Sequence, residues 1–563
     1  MKVVIVGGVA GGASAAARIR RLDEQAEIVV FERSGFMSYA NCGLPYYIGD
    51  VIADEEELTL QTPESFFLRF RVTVKTHHEV TAIHPDCKTV TVKKLADGTS
   101  FEEKYDKLIL ATGAKAILPD VQGIDSERLF TLRTVEDTLR IKNYIKAHRP
   151  RSVVLAGGGY IGVELAENLS AVGIDVTIVQ RAKQLLTPFD ADMASFIHAE
   201  MRRHGVKLVL GRSVTGFAEA QKGVTVQLDC GEALHTDMVI LALGVTPDTA
   251  LAREAGLALG MKDSILVNDK METSVSNIYA VGDAVQVKHA VSSKDALISL
   301  AGPANKQGRI AADNICGKES RYRGSQGSSV IKIFELTAAT TGLSEKDAKR
   351  CEFSVEKVVL SPMSHAGYYP GGSVMTVKVI FEKESYRLLG AQIVGREGVD
   401  KRIDVLATAI RAGLKATELK DLELAYAPPY SSAKDPVNMA GFMIDNIASG
   451  TLKQWHVDEI SALLQRGDVT LLDTRTHSEY AMGHIDGFVN IPVDELRERL
   501  DEVPQGKPVY VICQSGLRSY IATRILEGNG YTAYNFSGGY RFYATVMKDN
   551  ALTVRATPCG MDE

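Results

Sequence analysis

The strongest constraint on this chain is an internal repeat. An apolar run, Lys2–Val6, meets the turn Gly7-Gly8-Val9-Ala10-Gly11-Gly12, then the helix-forming stretch Ala13–Leu22, then a second apolar run, Glu27–Phe31, that ends at Glu32. The order returns about 150 residues later as Ser152–Ala156, Gly157-Gly158-Gly159-Tyr160-Ile161-Gly162, a helix through Ala171, and Asp175–Val179 ending at Gln180. Strand, glycine turn, helix and strand make a βαβ unit, and two such units predict two dinucleotide-binding domains of the α/β, Rossmann-like kind. Apolar strands ending in glycine follow each unit, at Leu108–Gly113 and Val239–Gly244, with a third glycine-ended segment at Ile278–Asp283.

At roughly 150 residues per domain, 563 residues predict three or four domains. The pattern assigns 1–149 and 245–320 to the first dinucleotide domain and 150–244 to the second. From about Ser320 it becomes α+β: an antiparallel strand at Ser373–Phe381, another at Leu388–Val394 and an amphipathic helix at Val399–Ala412. This unit runs over 321–447, with a linker near Ala448–Lys453. Residues 454–563 return to βαβα order, with Val469–Leu472, Val509–Cys513 and a helix from about Arg518. The formal charge of −6 excludes a generally basic nucleic-acid binder. No apolar stretch approaches the 18 residues of a membrane span. Lys2 and Ala13-Ser14-Ala15 imitate a signal peptide, but four glycines interrupt the run and arginines follow it, so a cytoplasmic protein is expected. The seven cysteines are scattered without a CxxC pair, so neither a disulfide scaffold nor a metal site is expected.

A glycine turn lets the backbone approach a pyrophosphate, and the helix behind it supplies free N–H groups. In the first turn these residues are Gly7, Gly8, Ala10 and Gly11, with Val9 where a central glycine is usual. Glu32, beside Arg33, lies 25 residues after Gly7, where a ribose-binding carboxylate belongs. The second turn is complete at Gly157, Gly159 and Gly162, with Tyr160 and Ile161 between. Its ribose position is Gln180, which leaves NADH and NADPH open; a single Arg181 is a thin 2′-phosphate site, so NADH is favoured. With Thr112-Gly113, Gly244 and Gly282-Asp283, the arrangement resembles the two-dinucleotide flavoprotein disulfide reductases over about residues 1–446. That resemblance implies FAD on the first turn, the nicotinamide cofactor on the second, Asp283 at the flavin ribityl or pyrophosphate, and Tyr160 and Glu164 beside the nicotinamide pocket.

In Ser38-Tyr39-Ala40-Asn41-Cys42-Gly43-Leu44-Pro45-Tyr46 there is one cysteine where two-cysteine members carry a CxxxxC pair. A single thiol holds its oxidising equivalent as a mixed disulfide, a persulfide or a sulfenic acid. Beside a flavin and a helix start, the Cys42 thiolate is expected to be favoured. Peroxidase-like relatives carry a histidine where Ala10 stands, and the string is similar to that of the coenzyme A-disulfide reductases. Ser14, Arg18 and Arg21 share one helix face and suit the phosphates of coenzyme A. These positions, with Ser38 and Asn41, match CoA-contacting positions of that family, and Arg71, with Arg69, extends the patch as a strand or loop edge. The resemblance also implies a homodimer in which Tyr368 (Tyr369 in an alternative register) and Tyr426 reach the partner's redox cysteine.

Cys513-Gln514-Ser515-Gly516-Leu517-Arg518-Ser519 follows a strand and closes on Arg518 at a helix start, so its N–H groups form an anion nest around the thiol. With Asp473–Pro492 it resembles a rhodanese domain. Four residues separate Cys513 from Arg518, the tighter loop that suits a sulfane sulfur. Asp473, Arg475, Glu479 and His484 are expected to hold the fold, and Cys87, Cys230, Cys316, Cys351 and Cys559 to carry no chemistry. The whole chain resembles the CoA-disulfide reductase–rhodanese fusions, NADH-dependent persulfide reductases among them. The resemblance implies an FAD-dependent NAD(P)H reductase of CoA-persulfide, polysulfide or CoA-disulfide, acting through Cys42 with Cys513 handling sulfane sulfur and releasing H₂S or CoA. A plain CoA-disulfide reductase with a sensory rhodanese domain, a sulfenate-using NADH peroxidase or oxidase, and a redox sensor without turnover remain alternatives.

Overall fold

The computed structural model describes residues 1–555; Cys559 and the end of the last expected domain lie outside the described residues. The chain divides into two compact units, Met1–Lys183 with Gly205–Gly327, and Gln184–His204 with Ser328 onward. The first unit holds both repeats. In the first, Lys2–Val6 is the central strand of a parallel sheet ordered Ile278–Ala280, Lys107–Leu110, Lys2–Val6, Glu27–Phe31, Thr73–Lys75. The residues that imitate a signal peptide are thus this strand and the helix Ala10–Leu22 after it. The second repeat has the equivalent order: Leu129–Thr131, Met238–Leu241, Ser152–Ala156, Asp175–Gln180, Lys207–Leu210. Buried on both faces, these strands need continuous apolar runs rather than alternation, and Val3, Val4, Ile5, Val153, Val154 and Leu155 supply them. Two small antiparallel sheets, from His78–His84 to Ser100–Lys104 and from Val214–Glu219 to Ala233–Thr236, extend the two repeats.

Each turn depends on one backbone approach. Gly7 and Gly157 have φ of +99° and +116°. Five residues on, a Cβ at Gly12 would lie 1.9 Å from the Gly7 carbonyl oxygen, and one at Gly162 would lie 2.1 Å from that of Gly157. The helix start can therefore seat on the turn only if both third glycines lack a side chain. Gly12 is absent from the sequence-based set of cofactor residues, although its place five after Gly7 mirrors Gly162.

In the second unit, five antiparallel strands are ordered Ser329–Ile333, Leu336–Gly342, Leu388–Gly395, Thr376–Glu382, Val355–Leu360, with Val399–Ala412 and Pro436–Ala448 packed on them. A five-stranded parallel sheet follows, ordered Gln454–Trp455, Ala533–Phe536, Val509–Ile512, Thr470–Asp473, Val489–Asn490. The two sheets are joined directly: Val359 N–H donates to Ser537 Oγ at 2.9 Å and Gln454 Nε2 to the Lys357 carbonyl at 2.7 Å. The helix Ala191–Arg203 also belongs to this unit, although the repeat pattern placed it within 150–244. The fully buried Lys378 explains why, because its ammonium pairs with Asp190 and Asp192 of that segment and with Glu345.

Gly12→Ala is expected to lower stability by about 1–3 kcal/mol through overpacking and to reduce the flavin that co-purifies. Gly159→Ala, where a Cβ meets nothing within 4 Å, is expected to leave the unfolding temperature unchanged. Thermal unfolding of the two variants beside the native chain checks this.

Candidate functional sites

The two glycine turns have the same polar closure. Gly8 N–H donates to Glu32 Oε2 at 2.8 Å, and Gly158 N–H to Gln180 Oε1 at 3.1 Å. Ser34 N–H also donates to Glu32, whose carboxyl is buried and pushed up by that burial. Gly11 and Gly308 let the helices Ala10–Leu22 and Ala301–Ile315 touch: a Cβ at Gly308 would lie 2.3 Å from the Gly11 carbonyl oxygen. Gly282 has φ +83°, and its N–H donates to buried Gln307. Thr112 Oγ1 donates to the Asp248 carbonyl at 2.6 Å, and Arg33 pairs with the Asp248 carboxylate at 2.9 Å. Gly113 (φ +69°) and Gly244 (φ +105°) turn the chain where the glycine-ended strands stop. Tyr160 and Ile161 are half-buried at the start of the second helix. A cradle that a Cβ would fill, with a buried acid at the ribose position, fits FAD at the first turn. The open space before Gly159 fits a pyrophosphate at the second.

Cys42 is exposed in the tight turn Asn41–Gly43, which enters the helix Leu44–Ile48. Lys142, buried, holds that helix by donating to the carbonyls of Tyr47 and Ile48. Asn168 Oδ1 lies 2.5 Å from where a Cβ at Gly49 would be, so Gly49 lets the helix Tyr160–Ala171 sit against it. That helix brings Glu164 toward the thiol. Glu164 is half-buried rather than a surface acid, and burial, with Glu167 beside it, pushes its carboxyl up to about 7.

The expectation of a favoured Cys42 thiolate needs correction for the protein's own groups. Although Cys42 is exposed to solvent, the protein packed around its thiol pushes it up, Glu164 and Asp283 push it further, and Arg133 opposes them. The helix behind Cys42 is a five-residue turn, too short to contribute much dipole. A thiolate here depends on what binds beside it. Arg133, which sequence reasoning missed, ties the site together: its Nη2 pairs with Asp283 at 2.7 Å and its Nε donates to the Ala114 carbonyl. In the amide orientation that satisfies both atoms, Asn41 donates to the Arg133 carbonyl and accepts from Arg133 Nη1. Tyr39 OH donates to the same carbonyl, and burial pushes its phenol up to about 12. An arginine just before the helix Val135–His148 carries no motif, so no sequence signal marked it.

The proposed CoA face is partly occupied by the fold. Ser14 Oγ donates to Asn305 Oδ1 at 2.8 Å, and Arg18 pairs with Asp313 at 2.7 Å, because the helix carrying both packs on Ala301–Ile315. Arg21 remains exposed, and Ser38, half-buried, takes φ +45°. Arg69 and Arg71 are not a strand or loop edge: Arg69 lies in the helix Pro63–Phe70 and Arg71 is its left-handed cap, with its guanidinium over the Phe67 ring. An exposed Arg21 and Arg71 are thus the freer cations of the patch.

In the second unit Tyr368 and Tyr426, 58 residues apart in sequence, meet OH to OH at 2.8 Å on an exposed surface. Tyr369 stands beside the pair, packing edge-on to His365 instead. Cys513 is fully buried at the end of Val509–Ile512, and its Sγ accepts from Gly516 N–H at 3.1 Å and from Ser519 Oγ at 3.3 Å. Gly516, at φ +101°, turns that N–H inward. Arg518 donates to Glu479 in a two-pronged pair at 2.7 and 2.8 Å, which holds the Glu479 carboxyl down at about 2, while its charge also acts on Cys513. Ser519 is the sulfur's side-chain donor that sequence reasoning missed. Arg475 is buried on Asp473 and over the Tyr540 ring, and His484 stacks on Tyr480, as fold-holding groups do.

Neutralising Glu164 is expected to ease ionisation of Cys42, and removing Arg133 to oppose it. In Glu164→Gln the pH at which Cys42 becomes half-alkylated falls, and in Arg133→Met it rises. The pH dependence of iodoacetamide labelling, read by peptide mass, checks both directions.

Comparison with known proteins agrees with this geometry. The family model described as pyridine nucleotide-disulphide oxidoreductase matches residues 1–308, its dimerisation domain 328–436, and a rhodanese-like domain 456–544. Coenzyme A disulfide reductase of Staphylococcus aureus is 39% identical over 442 residues, which are 78% of this chain and 99% of that protein. The crystal structure of reduced Bacillus anthracis CoADR-RHD is 48% identical with a TM-score of 0.95, covering 97% of this chain and 98% of that one. A NAD-dependent persulfide reductase from A. fulgidus is 35% identical with a TM-score of 0.91, covering 96% and 100%. The chain belongs to the pyridine nucleotide-disulphide oxidoreductase family, as an FAD-dependent NAD(P)H reductase that carries that family's dimerisation domain and a rhodanese-like domain.

Proposed function

We propose that the chain is a homodimeric reductase of CoA-persulfide or polysulfide that also accepts CoA-disulfide. The observation that carries this reading is one exposed thiol, Cys42, at the flavin site of a chain that also has a second thiol, Cys513, buried in a loop of N–H and O–H donors. Bound FAD supplies an electron pair taken from NAD(P)H. Gly7, Gly8, Ala10, Gly11, Gly12, Glu32 and Asp283 would hold it, and Gly157, Gly159, Gly162 and Gln180 would hold the nicotinamide cofactor. NADH is the favoured donor, because Gln180 is neutral and Arg181 is the one guanidinium next to it in sequence.

The Cys42 thiolate attacks the substrate sulfur. With a CoA-persulfide, attack on the CoA-bound sulfur forms a Cys42–CoA disulfide and releases HS⁻; attack on the outer sulfur forms a Cys42 persulfide and releases the CoA thiol. Two electrons and a proton then restore Cys42 and release CoA or H₂S. Arg133 opposes the charges of Asp283 and Glu164 at the thiol, and Glu164, near pH 7 in its ionisation, is suited to exchange the proton. Tyr368 and Tyr426 would donate a hydrogen bond to the leaving thiol at Cys42 of the partner subunit. Arg21 and Arg71, with Ser14, Arg18, Ser38 and Asn41 around them, would face the phosphates of CoA. Cys513 would take a sulfane sulfur from a donor and present it to Cys42 or to CoA. Its burial and its Gly516 and Ser519 donors suit a persulfide.

Cys42→Ser is expected to abolish NADH-dependent turnover of CoA-disulfide, CoA-persulfide and polysulfide while leaving flavin reduction by NADH intact. Cys513→Ser is expected to keep the CoA-disulfide rate and to slow polysulfide turnover at least about tenfold, a loss of about 1.4 kcal/mol in transition-state stabilisation. Steady-state NADH oxidation with each substrate, alongside H₂S release, checks this. Equal polysulfide rates for Cys513→Ser and the native chain would leave the plain CoA-disulfide reductase.

A further inference from the structure

A cavity of about 400 Å³ in the second compact unit plays no part in that chemistry. Phe196, Glu200, Arg203, Ser373, Arg396 and Arg541 line it. Its charges are unevenly answered. Arg203 is engaged by Glu200 and Glu335, so that cation and the cavity's one carboxylate cancel. Exposed Arg396 and half-buried Arg541 have no ion-pair partner among the described residues. Ser373 Oγ is buried and meets no hydrogen-bond partner. Burial holds the Arg541 guanidinium below its ordinary value, as expected of a cation partly withdrawn from water without an anion. Such groups are costly to bury unless something completes them. One wall is apolar, where Phe196 stacks on Phe542 at 6.0 Å. Arg541 is also tied to the loop of the second thiol: its N–H donates to the Gln514 carbonyl, and the preceding Tyr540 N–H donates to that of Cys513.

We propose that this cavity is an oxyanion-binding site, in which Arg541, Arg396 and Ser373 Oγ hold the sulfate- or phosphate-like group of a small molecule. Two forked guanidinium groups and a hydroxyl match the acceptor-only oxygens of such a group. Because the backbone N–H of Arg541 donates to the Gln514 carbonyl, an anion held by Arg541 would sit on a residue hydrogen-bonded to the Cys513 loop.

The test uses the full-length flavin-loaded protein with selenate, an anomalous scatterer in the shape of sulfate. Crystals soaked in selenate are expected to give an anomalous peak between Arg541 and Ser373. Displacement by thiosulfate assigns a sulfur oxyanion, and displacement by phosphate alone a phosphate group. In solution, calorimetric titration with selenate is expected to lose at least about tenfold in affinity in Arg541→Gln, the loss of one charge-assisted contact. Arg541→Lys is expected to recover part of it. Flavin reduction by NADH and the unfolding temperature, unchanged in both variants, exclude misfolding. No peak at this position, or an affinity unchanged in Arg541→Gln, which would mark an adventitious ion only, overturns the proposal.

Discussion

The rest of the structure depends on a contact in which one backbone meets another with no side chain between. At Gly12 over the Gly7 carbonyl, and again at Gly162 over Gly157, the start of a helix sits directly on the turn that precedes it. That approach aims the helix N–H groups at the space in front of the turn. It also fixes where each parallel sheet can present Glu32 or Gln180, the two side chains that close the turns by accepting from Gly8 and Gly158. Everything that makes Cys42 useful is placed relative to these two turns: the helix that carries Glu164 leaves the second, and Asp283 lies on a glycine turn after the edge strand of the first sheet.

The two thiols sit in opposite surroundings. Cys42 is exposed, with carboxylates that discourage its ionisation and one guanidinium that favours it. Cys513 is buried, with donors aimed at the sulfur itself. A thiol of the first kind is quiet until a cofactor or substrate changes the local charge. One of the second kind is held in place by an N–H and an O–H donor directed at its sulfur. The contrast fits the proposed division of labour, in which one thiol would exchange electrons and the other would store sulfur.

Much of this was legible in the sequence, for reasons that particular residues make plain. The repeat was readable because a tight turn tolerates only glycine at fixed places, and Val399–Ala412 because its apolar spacing matches the helix it forms. Cys42 and Cys513 stood out because each lies in a string whose neighbours constrain it. Arg133 did not, since its role arises from a fold that brings together residues 41, 133 and 283. Nor did the engagement of Arg18 by Asp313 or of Arg518 by Glu479, because a helix face read in isolation looks solvated until its packing partner is known. The segment carrying Ala191–Arg203 joins the second unit through Lys378, a buried cation that no local pattern announces.

The proposed chemistry rests on a covalent link between Cys42 and coenzyme A. Mass spectrometry of the oxidised, flavin-loaded protein after exposure to CoA-disulfide tests it most directly. One CoA adduct per chain is expected on the Cys42 peptide, removed by NADH with release of free CoA. An unmodified Cys42, or an adduct found on another cysteine, would contradict it.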